Sequence, residues 1–159
     1  MDYFIYLCQR NNNQKTITMK KALELDLLRA DGMDLLEKYS DKLDSDHTLT
    51  LIGLLEVEKD LTIESETFGE DVAYDLNLII EILTSYEHIM SKEDQELFDD
   101  ICTKSLQLAE LSKYNKGQMI VYDNLPYMVH KVDFEDLAIL LGDGNDASFW
   151  VEVDELIQK

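Results

Sequence analysis

The sequence predicts an α+β fold, with N-terminal strands and a helix, a central helical hairpin, and a C-terminal small antiparallel sheet or partial barrel. Three observations carry that prediction. Apolar residues recur at steps of three and four between Thr67 and Asn115, the period of a helix face. The hydrophobic period changes after Gly117, where short apolar runs separated by turn residues follow. A run rich in aromatic and β-branched residues, Tyr3-Phe4-Ile5-Tyr6-Leu7-Cys8, lies near the start. The change of period divides the chain into an α+β domain over 1–116, which holds the acidic hairpin, and a β subdomain over 117–159 packed on it.

In chain order, residues 3–8 read as a strand and Asn11-Asn12-Asn13 as a turn. Lys15 to Met19 alternates like a returning strand. Lys20 to Leu28 fits two readings: Leu23, Leu25 and Leu27 alternate, while Ala, Leu and Glu favour helix. Asp31-Gly32 predicts a break. Met33 to Leu43 predicts a helix with Leu35, Leu36, Tyr39 and Leu43 on one side. His47 to Glu64 reads as strand, because Leu49, Leu51, Val57, Leu61 and Ile63 sit among Thr and Glu in a mostly alternating pattern. Glu58-Lys59-Asp60 is the expected turn of that hairpin.

Thr67-Phe68-Gly69-Glu70 fits a capping box. Val72, Leu76, Ile79, Ile80, Leu83, Tyr86 and Met90 follow on one helix face, predicting a helix over 67–90. Ser91-Lys92-Glu93-Asp94 starts a second helix in the same way, over 92–114, with Leu97, Phe98, Ile101, Ser105 and Leu108 on its core side. Asn115-Lys116-Gly117 supplies its end. Four short strands then follow: 118–122, 127–132, 137–141 and 148–153. Asp123-Asn124-Leu125-Pro126 and Gly142-Asp143-Gly144-Asn145 are turn chemistry between them. Short, evenly spaced strands suggest a small curled sheet or a partial barrel of the Src-homology type.

The net charge of −20 is unevenly placed. Residues 1–40 carry a net charge of 0, residues 41–100 carry −15 and residues 101–159 carry −5. Such a chain repels nucleic acid and anionic membranes and favours basic partners. On the second predicted helix, Glu93, Glu96 and Asp100 follow steps of three and four, and neighbours on such a stripe stand about 5–6 Å apart. A row of this kind approximates a row of phosphates. The expected partner-binding face is therefore Glu93, Glu96, Asp99 and Asp100, with Asp71 and Asp75 from the preceding helix and Glu64 and Glu66 from the strand region. The plain alternative is a solvated face that aids solubility. Against it, uncompensated like charges weaken an exposed helix by about a few tenths of a kcal/mol per pair.

Catalytic constellations are missing from the sequence. His47, His88 and His130 are far apart, and no H-E-x-x-H, C-x-x-C or phosphate-loop pattern occurs. Gly142 to Asp146 fails the calcium-loop pattern and reads as a hairpin turn. Cys8 and Cys102 each lie in an apolar run and read as buried free thiols. No secretory signal is expected, because the first residues lack a basic region and a long apolar stretch. No apolar stretch approaches the roughly 20 residues of a membrane helix. These readings predict a cytoplasmic protein with no cofactor and no metal.

In size, charge and lack of a catalytic motif the chain resembles the small acidic anti-defence proteins of phages and mobile elements, of the anti-CRISPR and antirestriction kind. The resemblance lies in composition, and no motif carries it. It implies a non-enzymatic inhibitor that occupies the basic, nucleic-acid-handling surface of a nuclease or CRISPR effector. Two other readings stand beside it. One is an adaptor or assembly module that binds through the C-terminal sheet, with Tyr127, Phe149 and Trp150 as its contacts. The other is an enzyme whose carboxylate site is assembled only in the fold.

Overall fold

Gly32 sits in the middle of a helix, not at a break. The computed structural model describes residues 12–145 and 147–157, with side chains from residue 19 onward. Helix α1 runs without interruption through Asn12–Lys38. It replaces both the expected turn at Asn12-Asn13 and the expected strand over Lys15 to Met19. The strand expected over 3–8, and Cys8 within it, lie outside the described residues. Gly32 is tolerated because α1 needs a residue without a side chain there: a Cβ at this position would stand 2.8 Å from Cγ2 of Ile79. The alternation of Leu23, Leu25 and Leu27 is also explained. Leu25 is buried, while Leu23 and Leu27 are exposed, so the pattern mixes two faces of one helix.

A short 3-10 turn, Ser40–Lys42, leads to α2, Ser45–Glu58. This overturns the strand expected over 47–64. Asp44 caps α2, accepting the His47 backbone N–H at 2.8 Å on its side chain. Helix α3 is Phe68–Tyr86, followed by a 3-10 turn at Glu87–Ile89, and α4 is Lys92–Leu111. Thr67 does not form the expected capping box, since its hydroxyl donates to the Asp71 carboxylate at 2.9 Å instead of receiving a backbone amide. The side-chain amide of Gln95 donates to the carbonyls of Glu87 and Met90 and pins the α3–α4 connection.

The chain divides into two compact units. One is Ala22–Ser105; the other joins the segment that ends at Lys21 to the segment that begins at Leu106. In the first, Met33, Leu35 and Leu36 of α1, Leu51 and Leu54 of α2, Ile79, Ile82 and Leu83 of α3, Met90, and Phe98 of α4 form one apolar core. The expected core residues Leu76, Ile79, Leu83, Ile101 and Leu108 are buried, but Leu97 is not: it is 40% exposed.

The second unit holds strands β1, Met119–Tyr122; β2, Leu125–Asp133; β3, Ala138–Gly142; and β4, Ser148–Glu152, followed by a short helix α5, Val153–Ile157. They form an open antiparallel sheet in the order β1-β2-β3-β4 and not a closed barrel. Asp123 and Asn124, with φ of 52° and 66°, make the two-residue turn between β1 and β2. The expected turn residues Leu125 and Pro126 already belong to β2. Pro126 is tolerated there because β2 pairs with β3 only from Met128 onward, so no β3 partner needs its missing N–H. Gly117, with φ of 88°, donates its N–H to the Val129 carbonyl, so it opens the sheet and does not end α4.

Candidate functional site: an acidic helix face

Helix α4 begins with a capping arrangement in which a third residue takes part. Ser91 Oγ accepts the Asp94 backbone N–H at 3.1 Å. In a simple capping box the carboxylate would reach back to the Ser91 N–H. Here the Tyr39 hydroxyl stands between them, accepting the Ser91 N–H at 3.1 Å and donating to Asp94 Oδ2 at 2.5 Å. The ammonium of Lys38 lies 2.8 Å from the same oxygen. These donors hold the Asp94 carboxyl below the usual carboxylate range, Lys38 contributing most. Asp94 is thus turned inward and buried, and fixes the rotation of α4.

With Asp94 facing in, Glu93, Glu96, Asp99 and Asp100 all face solvent. Glu93, Glu96 and Asp100 share one side at steps of three and four. Asp99 is turned away from that line and lies near Cys102, where its charge, second to burial, pushes the thiol pKa up. Asp100 has a lysine partner, Lys104, at 3.1 Å. Leu97, which the sequence placed in the core, is exposed on the flank of this stripe. The physical reason is angular: at four residues past Glu93 it sits only about 40° from that carboxylate around the helix.

The other expected acidic residues divide into three groups. Glu64 and Glu66 are exposed in the loop before α3. Asp71 is exposed in the first turn of α3, with its carboxylate held by Thr67. Asp75 does not belong to an exposed face, since only 6% of it is accessible. Burial, aided by the charges of Asp71 and Glu58 and opposed by Arg29, raises its pKa. Arg29 is itself buried, and donates to Asp26 at 2.9 Å and Glu58 at 3.3 Å. Asp75 stands three residues after Val72 and four before Ile79, so the helical period that places those two in the core places Asp75 beside them.

The expected aromatic contacts do not share one surface. Tyr127 and Phe149 pack edge to face on one side of the sheet, ring centroids 5.1 Å apart, with Tyr122 beside both. Trp150, one residue on, faces the opposite side, where the Lys131 ammonium sits 5.9 Å from its ring centroid. Register places Met119, Val121 and Met128 on that same side, and all three are exposed.

His47 Nδ1 lies 2.9 Å from the Tyr86 hydroxyl, His88 is exposed, and the His130 ring lies over Gly142. Among the described residues, no group of three or more His, Cys, Asp or Glu is arranged to hold a metal ion, and no helix is long and apolar enough to cross a membrane. Comparison with protein-family models, with curated proteins and with solved structures finds no match to this chain.

Proposed function

We propose that this chain is a non-enzymatic inhibitor protein that binds the basic, nucleic-acid-handling surface of a nuclease or CRISPR effector, in the manner of anti-CRISPR and antirestriction proteins. The observation that carries the reading is the α4 face, where Glu93, Glu96, Asp99 and Asp100 are all exposed and, among the described residues, only Lys104 pairs with one of them by contact. A row of carboxylates about 5–6 Å apart presents a cationic groove with a phosphate-like pattern. Such a surface acts chiefly on encounter rate and is screened by salt. The test is inhibition of DNA cleavage by a panel of restriction nucleases and CRISPR effectors, with the purified chain titrated at low and at high salt. The reading expects inhibition of at least one, relieved by salt and by replacing Glu93, Glu96 and Asp100 with Gln or Asn. A panel untouched at low salt would count against it.

A second reading is favoured by a different observation. Met119, Val121, Met128 and Trp150 are exposed on one side of the C-terminal sheet. On that reading the chain is an adaptor that docks through the sheet, and the acidic residues serve solubility.

A further inference from the structure

Helix α2 is apolar on two sides. Leu51 and Leu54 face the core, and Leu55 packs against it. On the opposite side Leu49 is 67% exposed, Ile52 48% and Val57 46%. These three, with Gly53, stand at the i, i+3, i+4 and i+8 positions of one outward stripe. A surface helix with a single partner is expected to be polar on its outer side, so a second apolar stripe calls for a second partner. Gly53 sits in the middle of it, and a Cβ there would meet nothing within 4 Å. The position is neither a turn nor a tight contact within the chain, so glycine costs helix stability with no internal return. A missing side chain does, however, let a second backbone come close.

The charges around the stripe select the occupant. Asp46 lies one turn before Leu49 and Glu56 one turn after Ile52 and Gly53, both exposed, and Ser45–Glu58 contains no lysine or arginine. A second copy of this chain would bring Asp46 and Glu56 against copies of themselves or of each other, whichever way two such helices run. Anionic lipid meets the same repulsion. Nucleic acid offers no apolar face to cover Leu49 and Ile52. A basic amphipathic helix satisfies all three features: an apolar strip for Leu49 and Ile52, close approach at Gly53, and cations about 15 Å apart for the two carboxylates.

We propose that the outward face of α2 is a docking site for a basic amphipathic helix of the partner protein. This rests on the reading of the partner as basic, and adds an apolar anchor to it. Charge alone gives fast, salt-sensitive encounter, whereas buried leucine and isoleucine slow release and set specificity.

The probe is a dye-labelled synthetic helix of leucine and lysine with one apolar face, compared with a scrambled peptide of the same composition that has none. The protein variants are Leu49→Gln with Ile52→Gln, and Gly53→Gln, each checked by circular dichroism. Leu49 and Ile52 are exposed and a Cβ at Gly53 meets nothing within 4 Å, so the fold persists. The wild type is expected to bind the amphipathic peptide at least tenfold more tightly than the scrambled one. The double variant loses that preference while keeping its affinity for the scrambled peptide, because its charge is unchanged. Gly53→Gln weakens the amphipathic peptide several-fold. Equal affinity of the wild type for both peptides overturns the proposal, as does an unaltered preference in the double variant. Binding to anionic vesicles that the double variant loses would assign the face to lipid and also overturn it. Neutralising Glu93, Glu96 and Asp100 leaves the peptide preference intact, so failure of the α4 reading shows separately.

Discussion

Tyr39 donates its hydroxyl to Asp94 across 55 residues of sequence, at 2.5 Å, while receiving the backbone N–H of Ser91. One phenol thereby links the end of α1 to the start of α4 and fixes which side of α4 carries its charge outward. Tyr39→Phe removes the donor and keeps the ring. A hydrogen bond to a carboxylate contributes about 1.5–3 kcal/mol, so a loss of stability of that order is expected in urea denaturation. Stability equal to wild type would mean that Lys38 alone holds Asp94.

Asp94 and Asp75 should respond to pH in opposite senses. The pKa of Asp94 is lowered in the folded protein, so its stabilisation is full above the ordinary carboxylate pKa of about 3.9 and fades as pH falls below it. Asp94→Asn should therefore be destabilised at pH 7, with the gap to wild type narrowing as pH drops below about 4. The pKa of Asp75 is raised by burial, so its contribution is most favourable below about 3.9 and is lost as pH rises through the folded value. Asp75→Asn should be as stable as wild type or more so at pH 7, and should lose that advantage in acid. Denaturation midpoints for the three proteins between acid and neutral pH provide the check.

Gly32 and Gly53 predict opposite outcomes for one substitution. Alanine is the better helix former by about 1 kcal/mol. At Gly53 nothing opposes that gain, so Gly53→Ala should stabilise by up to about 1 kcal/mol. At Gly32 the new methyl would press on Ile79, which is fully buried and cannot yield. Overpacking costs about 1–3 kcal/mol, so Gly32→Ala should be net destabilised. A stabilised Gly32→Ala would show that α1 and α3 can separate there at little cost.

If the α4 stripe is the working surface, Glu93, Glu96 and Asp100 act as a group. Single exposed charges contribute about 0–1 kcal/mol, so each alone should matter little. Replacing all three with Gln or Asn should slow association with the partner and flatten its dependence on ionic strength. The fold should persist, since all three are exposed. Unchanged rates and unchanged salt slopes would reduce the stripe to a solvated face and favour the sheet as the binding surface.

The parts of the fold legible in the sequence are those with one apolar face each. In α3, Val72, Leu76, Ile79 and Leu83 all point inward, so the helical period is clean. In the sheet, the four short apolar runs are equally direct, and Asp123-Asn124 marks the first turn, although Leu125 and Pro126 already belong to β2 and β3 is buried on both faces. Helix α2 resembles a strand in sequence because Leu49 faces solvent while Leu51 faces the core, so two faces interleave and imitate alternation. Gly32 looks like a break in sequence because its partner, Ile79, lies 47 positions further on and no local pattern announces it. The acidic site was partly legible for the same reason. Spacing alone puts Glu93, Glu96 and Asp100 on one side, Leu97 beside Glu93, and Asp75 beside Val72 and Ile79; the tertiary structure adds that Asp75 is buried there and that Leu97 is exposed.

Every strand of the sheet pairs with the strand next to it in sequence, across connections of two, four and five residues. Closing such short loops costs little entropy, so the meander is expected to form early and locally. The ion pair of Lys38 with Asp94 joins positions 56 residues apart, and the entropy of closing so long a loop predicts that it forms late, after the transition state. Asp94→Asn should then accelerate unfolding while leaving the refolding rate almost unchanged, so the lifetime of the native state, not the speed of reaching it, depends on that contact.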